Sequence, residues 1–357
     1  MKNKVLVINP GSTSTKLALY LLDGAKAWQE EITHTEQELA AYPTIFAQLE
    51  MRLKLVLEVL AAKGDSVEDL VTVVGRGGLL PPVAAGAYTV NEAMLAVLEH
   101  RPINHHASNL GAALAFHIAK MAAVKAYIYD PVTVDEMIDL VRITGLKEIS
   151  RHGQGHNLNM RAAALRLCRE HNLVYAKRNI IVAHLGGGIT LSLHSQGRII
   201  DMVSDDEGAF SPERAGALPT FKLLRLVDDR KLDYSRAMKL LQRNGGLKSH
   251  LNTTDAKAVE AKAEAGDQEA KLVYEAMALS VARSIAKLAV VVNGAVDDIV
   301  LTGGLAYSKL FTGLVRQRVE FIAPVHILPG ENEMQALFAG VMRVLSGEEQ
   351  AREFQLK

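Results

Sequence analysis

The chain has 357 residues, more than one hydrophobic core holds comfortably, so its length predicts about two domains of roughly 100 to 200 residues each. Hydrophobic residues make up 49% and charged residues 22% of the chain, a composition that excludes intrinsic disorder. The 40 Lys and Arg residues balance the 40 Asp and Glu residues, and this zero net charge argues against a nucleic acid as partner.

The first half of the chain opens with a predicted β-hairpin. Residues 4–8 are β-branched and apolar, residues 9–15 (Asn-Pro-Gly-Ser-Thr-Ser-Thr) are typical of a turn, and residues 16–22 predict a returning strand. Helical and strand-like periods alternate after this hairpin. They predict helices at 44–63, 91–100 and 108–120, and strands at 70–74 and 126–129.

The second half repeats this opening. A strand at 179–183, a turn at 184–188 (His-Leu-Gly-Gly-Gly) and a strand at 189–193 match the first hairpin. Aligning Gly11 with Gly186 gives an offset of 175 residues (186 − 11), close to half the chain. Further helices are predicted at 161–170, 234–242, 270–292 and 333–346, and strands at 298–302 and 325–328. The pattern predicts an α/β protein of two related halves with the working site in the cleft between them.

Apolar runs and cysteine content predict the compartment. No window reaches the roughly 18 uninterrupted apolar residues that span a bilayer, and the first apolar stretch, residues 5–8, is too short for a signal peptide. The single cysteine, Cys168, cannot pair within the chain, which suits a reducing compartment. We therefore expect a cytoplasmic protein without a membrane partner, in which Cys168 is a half-buried filler and not a catalytic thiol.

Three glycine-bearing turns directly follow predicted strands, at residues 9–15, 184–188 and 302–304. Glycine lets the backbone approach a phosphate closely, and Ser and Thr hydroxyls with free N–H groups supply donors. None of the turns is a Walker A loop or a dinucleotide-binding Gly-x-Gly-x-x-Gly motif. One such turn alone is more often a structural hairpin, whereas three of them at strand ends indicate a nucleotide-binding site.

Segments along most of the chain resemble one family of enzymes. Residues 7–16 (Val-Ile-Asn-Pro-Gly-Ser-Thr-Ser-Thr-Lys) are similar to the phosphate loop of the acetate and butyrate kinases, members of the actin-like, sugar-kinase and Hsp70 ATPase superfamily. The segments that resemble the butyrate kinase branch, in the family's order, are 74–78, 106–111, 130–131, 210–214 and 301–305. The resemblance implies two duplicated ribonuclease H-like domains with a central cleft. Residues 1–131 with 334–357 would form the first domain, and residues 132–333 the second, with the adenosine site.

The resemblance implies a kinase that reversibly moves the γ-phosphoryl group of ATP, with Mg²⁺, to a short-chain carboxylate such as butanoate or a branched-chain relative. A carboxylic acid has a pKa near roughly 4.3, so at neutral pH the acceptor is already an anionic nucleophile and needs no general base. The site instead needs cations that offset the repulsion between the acceptor and the γ-phosphate, and each cation would contribute about 3 kcal/mol or more of stabilisation. By resemblance Arg76 and Arg214 are those cations, although a lone arginine beside glycines is more often in a surface ion pair.

The resemblance also implies roles for the other candidate residues. Asp130 and Glu333 would position Mg²⁺, Asp130 through water, against the plainer alternatives of a turn residue and a helix N-terminal charge. His156 and His184 would donate to the phosphoryl group. The implied phosphate and nucleotide contacts are Asn9, Gly11, Ser12, Ser14, Lys16, Gly186, Gly187, Gly188, Asp255, Gly303 and Gly304.

Three positions depart from the family's pattern. Gly155 stands where relatives carry an aromatic residue just before the equivalent of His156, which predicts an enlarged acyl pocket. Lys257 places a point charge near the nucleotide where an arginine is usual. Asp206 makes the segment 205–207 more acidic than the family's pattern.

Two other functions stay open on the sequence alone. The acceptor could be acetate or propionate, but the short chain and the segment 75–78 (Gly-Arg-Gly-Gly) count against that choice. A nucleotide-dependent switch or binding protein of the same superfamily is a different class, and it has no use for Arg76 and Arg214 on the acceptor side of the γ-phosphate. The resemblance also implies a homo-oligomer.

Overall fold

The computed structural model describes residues 2–355, and strands and helices alternate along them. The strands are β1 (Lys4–Pro10), β2 (Ser14–Leu21), β3 (Lys26–Thr33), β4 (Leu70–Arg76), β5 (Ala87–Thr89), β6 (Lys125–Tyr129), β7 (Ile180–Leu185), β8 (Ile189–Ser195), β9 (Arg198–Val203), β10 (Asp298–Gly303), β11 (Val325–Pro329) and β12 (Arg352–Glu353). The helices are α1 (Glu36–Ala40), α2 (Leu49–Ala62), α3 (Glu92–His100), α4 (Leu110–Met121), α5 (Asp139–Arg142), α6 (Asn157–Glu170), α7 (Thr220–Asp229), α8 (Tyr234–Arg243), α9 (Gly246–Leu251), α10 (Ala256–Glu264), α11 (Gln268–Ala289), α12 (Lys309–Val319) and α13 (Glu333–Leu345).

Two mixed sheets organise these elements. The strand order is β12-β5-β6-β4-β1-β2-β3 in the first sheet and β11-β10-β7-β8-β9 in the second. Each sheet contains an antiparallel meander, β1-β2-β3 or β7-β8-β9, whose first strand pairs in parallel with a later strand, β4 or β10. A further parallel strand, β6 or β11, follows in each. The same topology therefore occurs twice, and the predicted α/β class and internal duplication are confirmed.

The chain divides into two compact units. Unit 1 comprises residues 1–135 and 332–357, and unit 2 comprises residues 136–331. The last helix and strand, α13 and β12, therefore belong to unit 1 together with the first hairpin. The domain boundaries expected from the sequence lie after residue 131 and before residue 334, and residues 1, 356 and 357 of that assignment lie outside the described part.

In unit 1, β1 is buried on both faces because helices cover both sides of the sheet. Leu6 and Ile8 belong to the core that α2 and α4 share with the sheet. Val5 and Val7 alternate with them and are also 0% exposed, on the face against which α13 packs. A strand that is buried on both faces reads as a continuous apolar run, which is the pattern of residues 4–8.

A close crossing of α4 over the end of β4 fixes the backbone just before Arg76. A Cβ atom at Gly75 would lie 2.1 Å from the carbonyl oxygen of Gly111 in α4, a distance that no side chain can occupy. Glycine at both positions lets the helix touch the strand. The start of the 74–78 segment is therefore set by packing as well as by chemistry.

In unit 2, the long helix α11 packs against β7, β8 and β9. Its buried residues, among them Tyr274, Met277, Val281 and Ile285, recur at helical spacing, as expected of a helix that covers a sheet. The helix predicted at 270–292 is α11 followed by a 3₁₀ turn at Val290–Val292. Across residues 2–355, no helix combines the length and hydropathy needed to cross a bilayer.

The sequence analysis missed several elements, among them β3, β9, α7 and α10. The residues of β3 are all exposed or half-buried and α10 buries only Val259, so these two segments carry a weak hydrophobic period, whereas α7 is amphipathic but buries none of its residues. Cys168, expected to be half-buried, is only 3% exposed in α6, and burial raises the pKa of its thiol. Its environment is therefore that of a packed core residue.

Candidate active site

The turn between β1 and β2 builds the candidate site of unit 1. Asn9 of β1 pairs with Lys16 of β2, and the Gly11 N–H donates to the Ser14 carbonyl at 2.7 Å, which closes loop 11–14. Ser12 and Thr13 at its tip are exposed. Within residues 2–355 their backbone N–H groups make no hydrogen bond, an arrangement typical of a turn that binds anions.

A cavity of about 420 Å³ opens beside this loop. The predicted site residues that line it are Asn9, Gly11, Ser14, Lys16, Arg76 and Glu333. Other lining residues, which the sequence analysis did not assign to the site, are Pro10, Gly77, Leu79, Asn104, His106, Ser108 and Val132. The lining thus combines cations and hydrogen-bond donors with apolar side chains, which suits an anionic head group that carries a short hydrocarbon tail.

The charges of the cavity are arranged around Glu333, the first residue of α13. Its carboxylate accepts hydrogen bonds from Nη1 of Arg76 and, at 2.6 Å, from Nδ2 of Asn9. The Arg76 side chain is 15% exposed, so this ion pair fixes the guanidinium at the cavity. Nζ of Lys16 lies 3.9 Å from Glu31 in an exposed pair, which offers it little stabilisation and leaves its charge available to an anion.

His106 is a cavity residue that sequence reasoning missed. Its Nδ1 accepts the backbone N–H of Ser108 at 3.2 Å and lies 2.9 Å from the Ser108 hydroxyl. Burial and the nearby Arg76 lower the pKa of His106, so the ring is neutral at neutral pH. With Nδ1 acting as an acceptor, the ring proton is on Nε2, where it can be donated to an anion. The available signal was the place of His106 at the start of segment 106–111, which resembles the family.

Asp130 follows β6 and is held tightly in unit 1. It is 1% exposed, has a left-handed backbone (φ 39°), and its Oδ1 accepts the Gly86 N–H at 2.6 Å. It is not among the residues that line the cavity, and neither is Ser12. Across residues 2–355, no three His, Cys, Asp or Glu side chains converge as a ready ligand set for a metal ion.

Unit 2 holds its own group of candidate residues, around the turn between β7 and β8. His184 near the end of β7 is 0% exposed, and its ring stacks on that of His156 with centroids 4.0 Å apart. Nε2 of His184 lies 3.1 Å from Oε1 of Glu331. Thr190 of β8 holds His156, because its Oγ1 lies 2.9 Å from the ring Nδ1 and accepts the His156 backbone N–H at 3.3 Å. The two predicted histidines therefore form one cluster.

Arg214 lies against the glycine turn of unit 2. A Cβ atom at Gly188 would lie 2.8 Å from Cζ of Arg214, so the guanidinium packs directly on the turn. The Ser211 hydroxyl donates to the Gly187 carbonyl at 2.6 Å and accepts the Arg214 N–H at 3.2 Å. Nη1 of Arg214 pairs with Asp205. Gly187, Gly188 and Arg214 are thus brought together.

The acids of segment 205–207 have separate partners. Asp205 pairs with Arg214, and Glu207 pairs with Arg151 at 2.8 Å. Asp206 accepts a hydrogen bond from the Ser204 hydroxyl. The extra acid noted in the sequence is therefore part of a local turn.

The remaining predicted residues have different surroundings. Gly303, with φ 91°, lies against Leu185, where a Cβ atom would be 2.5 Å from the backbone oxygen, whereas Gly304 has open space around its Cα atom. Asp255 is exposed and caps α10, accepting the backbone N–H groups of Lys257 and Ala258 at 3.0 and 3.1 Å. The structure gives Asp255 a capping role that accounts for the residue without a nucleotide.

Gly155, where the sequence predicts an enlarged acyl pocket, is closely surrounded in unit 2. A Cβ atom at Gly155 would lie 2.7 Å from Cε of Met202 and 3.2 Å from Oγ1 of Thr190. The space that a larger residue would need is therefore filled by Met202. The missing side chain brings the backbone close to Thr190, which in turn holds His156.

Comparison with known proteins places the chain among sequence and structural relatives. The family model described as the acetokinase family matches residues 115–324. The chain is 45% identical over 356 residues to butyrate kinase 2 of Clostridium acetobutylicum, covering 99% of this chain and 100% of that protein. It is 46% identical over 349 residues to a probable butyrate kinase of Enterococcus faecalis, covering 97% and 96%.

Solved structures share the fold. Acetate kinase of Porphyromonas gingivalis superposes with a TM-score of 0.76 at 19% identity, covering 96% of this chain and 100% of that one. A propionate kinase of Francisella tularensis gives a TM-score of 0.71 at 16% identity, covering 95% and 98%. The comparisons confirm the family resemblance and the duplicated fold that the sequence predicts.

Proposed function

Because the chain belongs to the acetokinase family and is an ATP-dependent carboxylate kinase, we propose that its acceptor is butanoate or a branched-chain relative. The relatives that are 45% and 46% identical over almost the whole chain are named butyrate kinase and probable butyrate kinase. The acetate kinase and propionate kinase structures are only 19% and 16% identical to this chain, so they show a shared fold and not a shared acceptor. The sequence relationship therefore supports the four-carbon class of acceptor.

The proposed reaction needs no general base. A carboxylate oxygen of the acceptor attacks the γ-phosphorus of ATP, the bond between that phosphorus and the β,γ-bridging oxygen breaks, and ADP leaves with the bond's electron pair. No proton changes place at neutral pH, since the acceptor is already ionised. The reverse reaction moves the phosphoryl group from the acyl phosphate to ADP.

One observation supports a carboxylate as the acceptor: among the described residues, the cavity of unit 1 is lined by cations and donors and by a single carboxylate, that of Glu333. This carboxylate accepts hydrogen bonds from Arg76 and Asn9, so it is poorly placed to remove a proton. A hydroxyl acceptor would need such a base. The lining instead suits an acceptor that arrives as an anion.

The residues of the two units would divide the work. Arg76, oriented by Glu333, would steer the acceptor carboxylate, and loop 11–14 with Lys16 would hold the terminal phosphoryl group. Nε2–H of His106 would donate to one of the two anions. In unit 2, Arg214 would neutralise the equatorial phosphoryl oxygens, the His156–His184 pair would donate to them, and the glycines at 186–188 and 303–304 would bring the backbone close to the nucleotide.

The donor set fits magnesium, which prefers oxygen ligands, keeps several waters, and is often held by one or two carboxylates together with substrate phosphates. Glu333 offers a carboxylate at the cavity, which Asn9 and Ser14 line with side chains that also carry oxygens. Asp130 is buried and bonded to Gly86, so we propose that it acts through water. When bound, the ion would neutralise phosphate charge.

A hydroxamate trap tests the proposal. The protein is incubated with ATP, Mg²⁺, hydroxylamine and straight or branched acids of two to six carbons, and acyl hydroxamate is measured. We expect the highest kcat/KM with butanoate or a branched four- or five-carbon acid. A preference for acetate or propionate would refute the proposed acceptor, and slow ATP hydrolysis without hydroxamate from any acid would favour a nucleotide-dependent switch.

We also propose that the enzyme is a cytoplasmic homo-oligomer that acts on small molecules, without a nucleic acid or membrane partner. The family resemblance supports the oligomer, and the balanced charge of 40 basic and 40 acidic residues supports the absence of a polyanion partner. Light scattering coupled to size-exclusion chromatography gives the mass in solution. A monomer across the accessible concentration range would refute the oligomer.

A further inference from the structure

A buried arginine lies directly beneath loop 11–14. Arg52 in α2 is 0% exposed. Its Nη1 donates to the carbonyl oxygens of Gly11 and Ser14 at 3.0 and 3.1 Å and to Oγ1 of Thr15 at 3.0 Å, and its Nη2 donates to the Ser12 carbonyl at 3.4 Å. One guanidinium therefore holds three carbonyls of the same loop.

The charge of Arg52 is not neutralised by a carboxylate. Its other partner is Oε1 of Gln48, reached at 3.1 Å from Nε and 2.9 Å from Nη2, and no ion pair joins it to an acid within residues 2–355. Burial lowers the pKa of Arg52 to about 10, so the side chain stays protonated at neutral pH. Buried charges are usually paired, because an unpaired one costs stability. Arg52 is thus a positive charge kept behind the loop at a cost.

The carbonyls that Arg52 holds determine where the loop amides point. In a trans peptide the C=O of one residue and the N–H of the next point in opposite directions. Since the Gly11 and Ser12 carbonyls turn toward Arg52, the N–H groups of Ser12 and Thr13 turn away from it, to the exposed side. The Thr13 carbonyl is held separately, by the backbone N–H of His34 at 2.8 Å.

We propose that Arg52 is a positioning residue for phosphoryl binding: it aims the Ser12 and Thr13 amides at the terminal phosphoryl group of the nucleotide and adds an unneutralised charge behind them. The identity of this anion rests on the proposed function. An arginine is required because its planar fork reaches several carbonyls at once, which a lysine cannot do.

The test compares Arg52→Met and Arg52→Lys with Lys54→Met, which removes an exposed charge from the same helix. Direct calorimetric binding of ATP and of ADP is measured, together with kcat and thermal unfolding. We expect Arg52→Met to weaken ATP binding by about tenfold relative to ADP and to lower kcat by about tenfold or more. Arg52→Lys keeps the charge but not the planar fork, so it should change both quantities by more than about twofold but less than Arg52→Met does, and Lys54→Met should match the wild type.

A purely structural arginine would lower the unfolding temperature and leave the ratio of ATP to ADP affinity unchanged. A folded Arg52→Lys or Arg52→Met protein whose affinity ratio and kcat are both within about twofold of the wild type would overturn the proposal. A change of about twofold is far smaller than the loss of rate caused by removing one hydrogen-bond donor to the reacting group. If Arg52→Met fails to fold, Arg52→Lys decides the question alone. The binding ratio is read without turnover, so an enzyme that phosphorylates no acid would refute the proposed function and still leave this test valid.

Discussion

Replacing Gly188 by alanine should slow the reaction by displacing Arg214 without changing its charge. A Cβ atom at Gly188 would lie 2.8 Å from Cζ and 2.9 Å from Nη1 of Arg214. Carbon atoms in contact are about 3.5 to 4.0 Å apart, so the guanidinium must retreat by about 1 Å. A displacement of about 1 Å at a reacting group costs roughly 100-fold in rate, and we expect this loss in kcat.

Gly187→Ala, one residue earlier in the same turn, is a companion variant that shows what a methyl group in this turn does to nucleotide binding without displacing Arg214. Its Cβ atom would meet only Oε1 of Glu213, at an ordinary 3.6 Å, and neither glycine has a positive φ that alanine would strain. Hydroxamate formation gives kcat, calorimetry gives ADP affinity, and thermal unfolding checks that both variants fold. A folded Gly188→Ala protein whose kcat is within about threefold of the wild type would remove Arg214 from the reaction, because about threefold is far below the expected loss.

Three further predictions concern the metal, the pH dependence of stability and the backbone. Glu333→Gln should raise the magnesium concentration for half-maximal activity by about tenfold at fixed ATP, and an unchanged requirement would remove this carboxylate from the metal site. Burial lowers the pKa of His194 to about 3, whereas in the unfolded chain it is about 6.5. Between these two pH values only the unfolded chain binds the proton, so the free energy of unfolding decreases as the pH is lowered, by up to about 1.4 kcal/mol per pH unit. His194→Gln should flatten this slope in unfolding measurements, and an equal slope would contradict the assignment. Gly303→Ala should lower the free energy of unfolding by about 2 kcal/mol or more, because φ is 91° and the new Cβ atom would lie 2.5 Å from the Leu185 carbonyl oxygen. Gly304→Ala should leave the free energy of unfolding unchanged, because the space around Gly304 is open.

The fold was largely predictable because local signals and the duplication agree. The glycine turns at 9–15 and 184–188 sit between apolar strands, and the structure places β1-β2 and β7-β8 there with the same connections beyond them. Weakly patterned elements such as β3 were missed, since a half-exposed strand carries little hydrophobic period. The glycine motifs therefore predict the two turns correctly, whereas the hydrophobic pattern does not reveal edge strands such as β3.

Arg52 shows why part of the site escaped. Residues 44–63 were correctly expected to contain an amphipathic helix, and its buried positions are Arg52, Val56 and Leu60, four residues apart. A charged residue on this apolar stripe was a visible signal that a partner must exist inside the protein. The partner could not be inferred, because Arg52 and the Gly11 carbonyl are 41 residues apart in the chain and meet only through the packing of α2.

The two related turns use the same physical device with different residues. In unit 1, Arg52 draws the Gly11 and Ser12 carbonyls away from the exposed side of the loop. In unit 2, the Ser211 hydroxyl holds the Gly187 carbonyl at 2.6 Å, which turns the following N–H, that of Gly188, the opposite way. Arg52 lies in a helix, 41 residues after Gly11, whereas Ser211 lies in a loop, 24 residues after Gly187. Duplication therefore preserved the turn while the donor behind it was supplied separately in each unit, so a sequence motif can predict the turn but not what orients its amides.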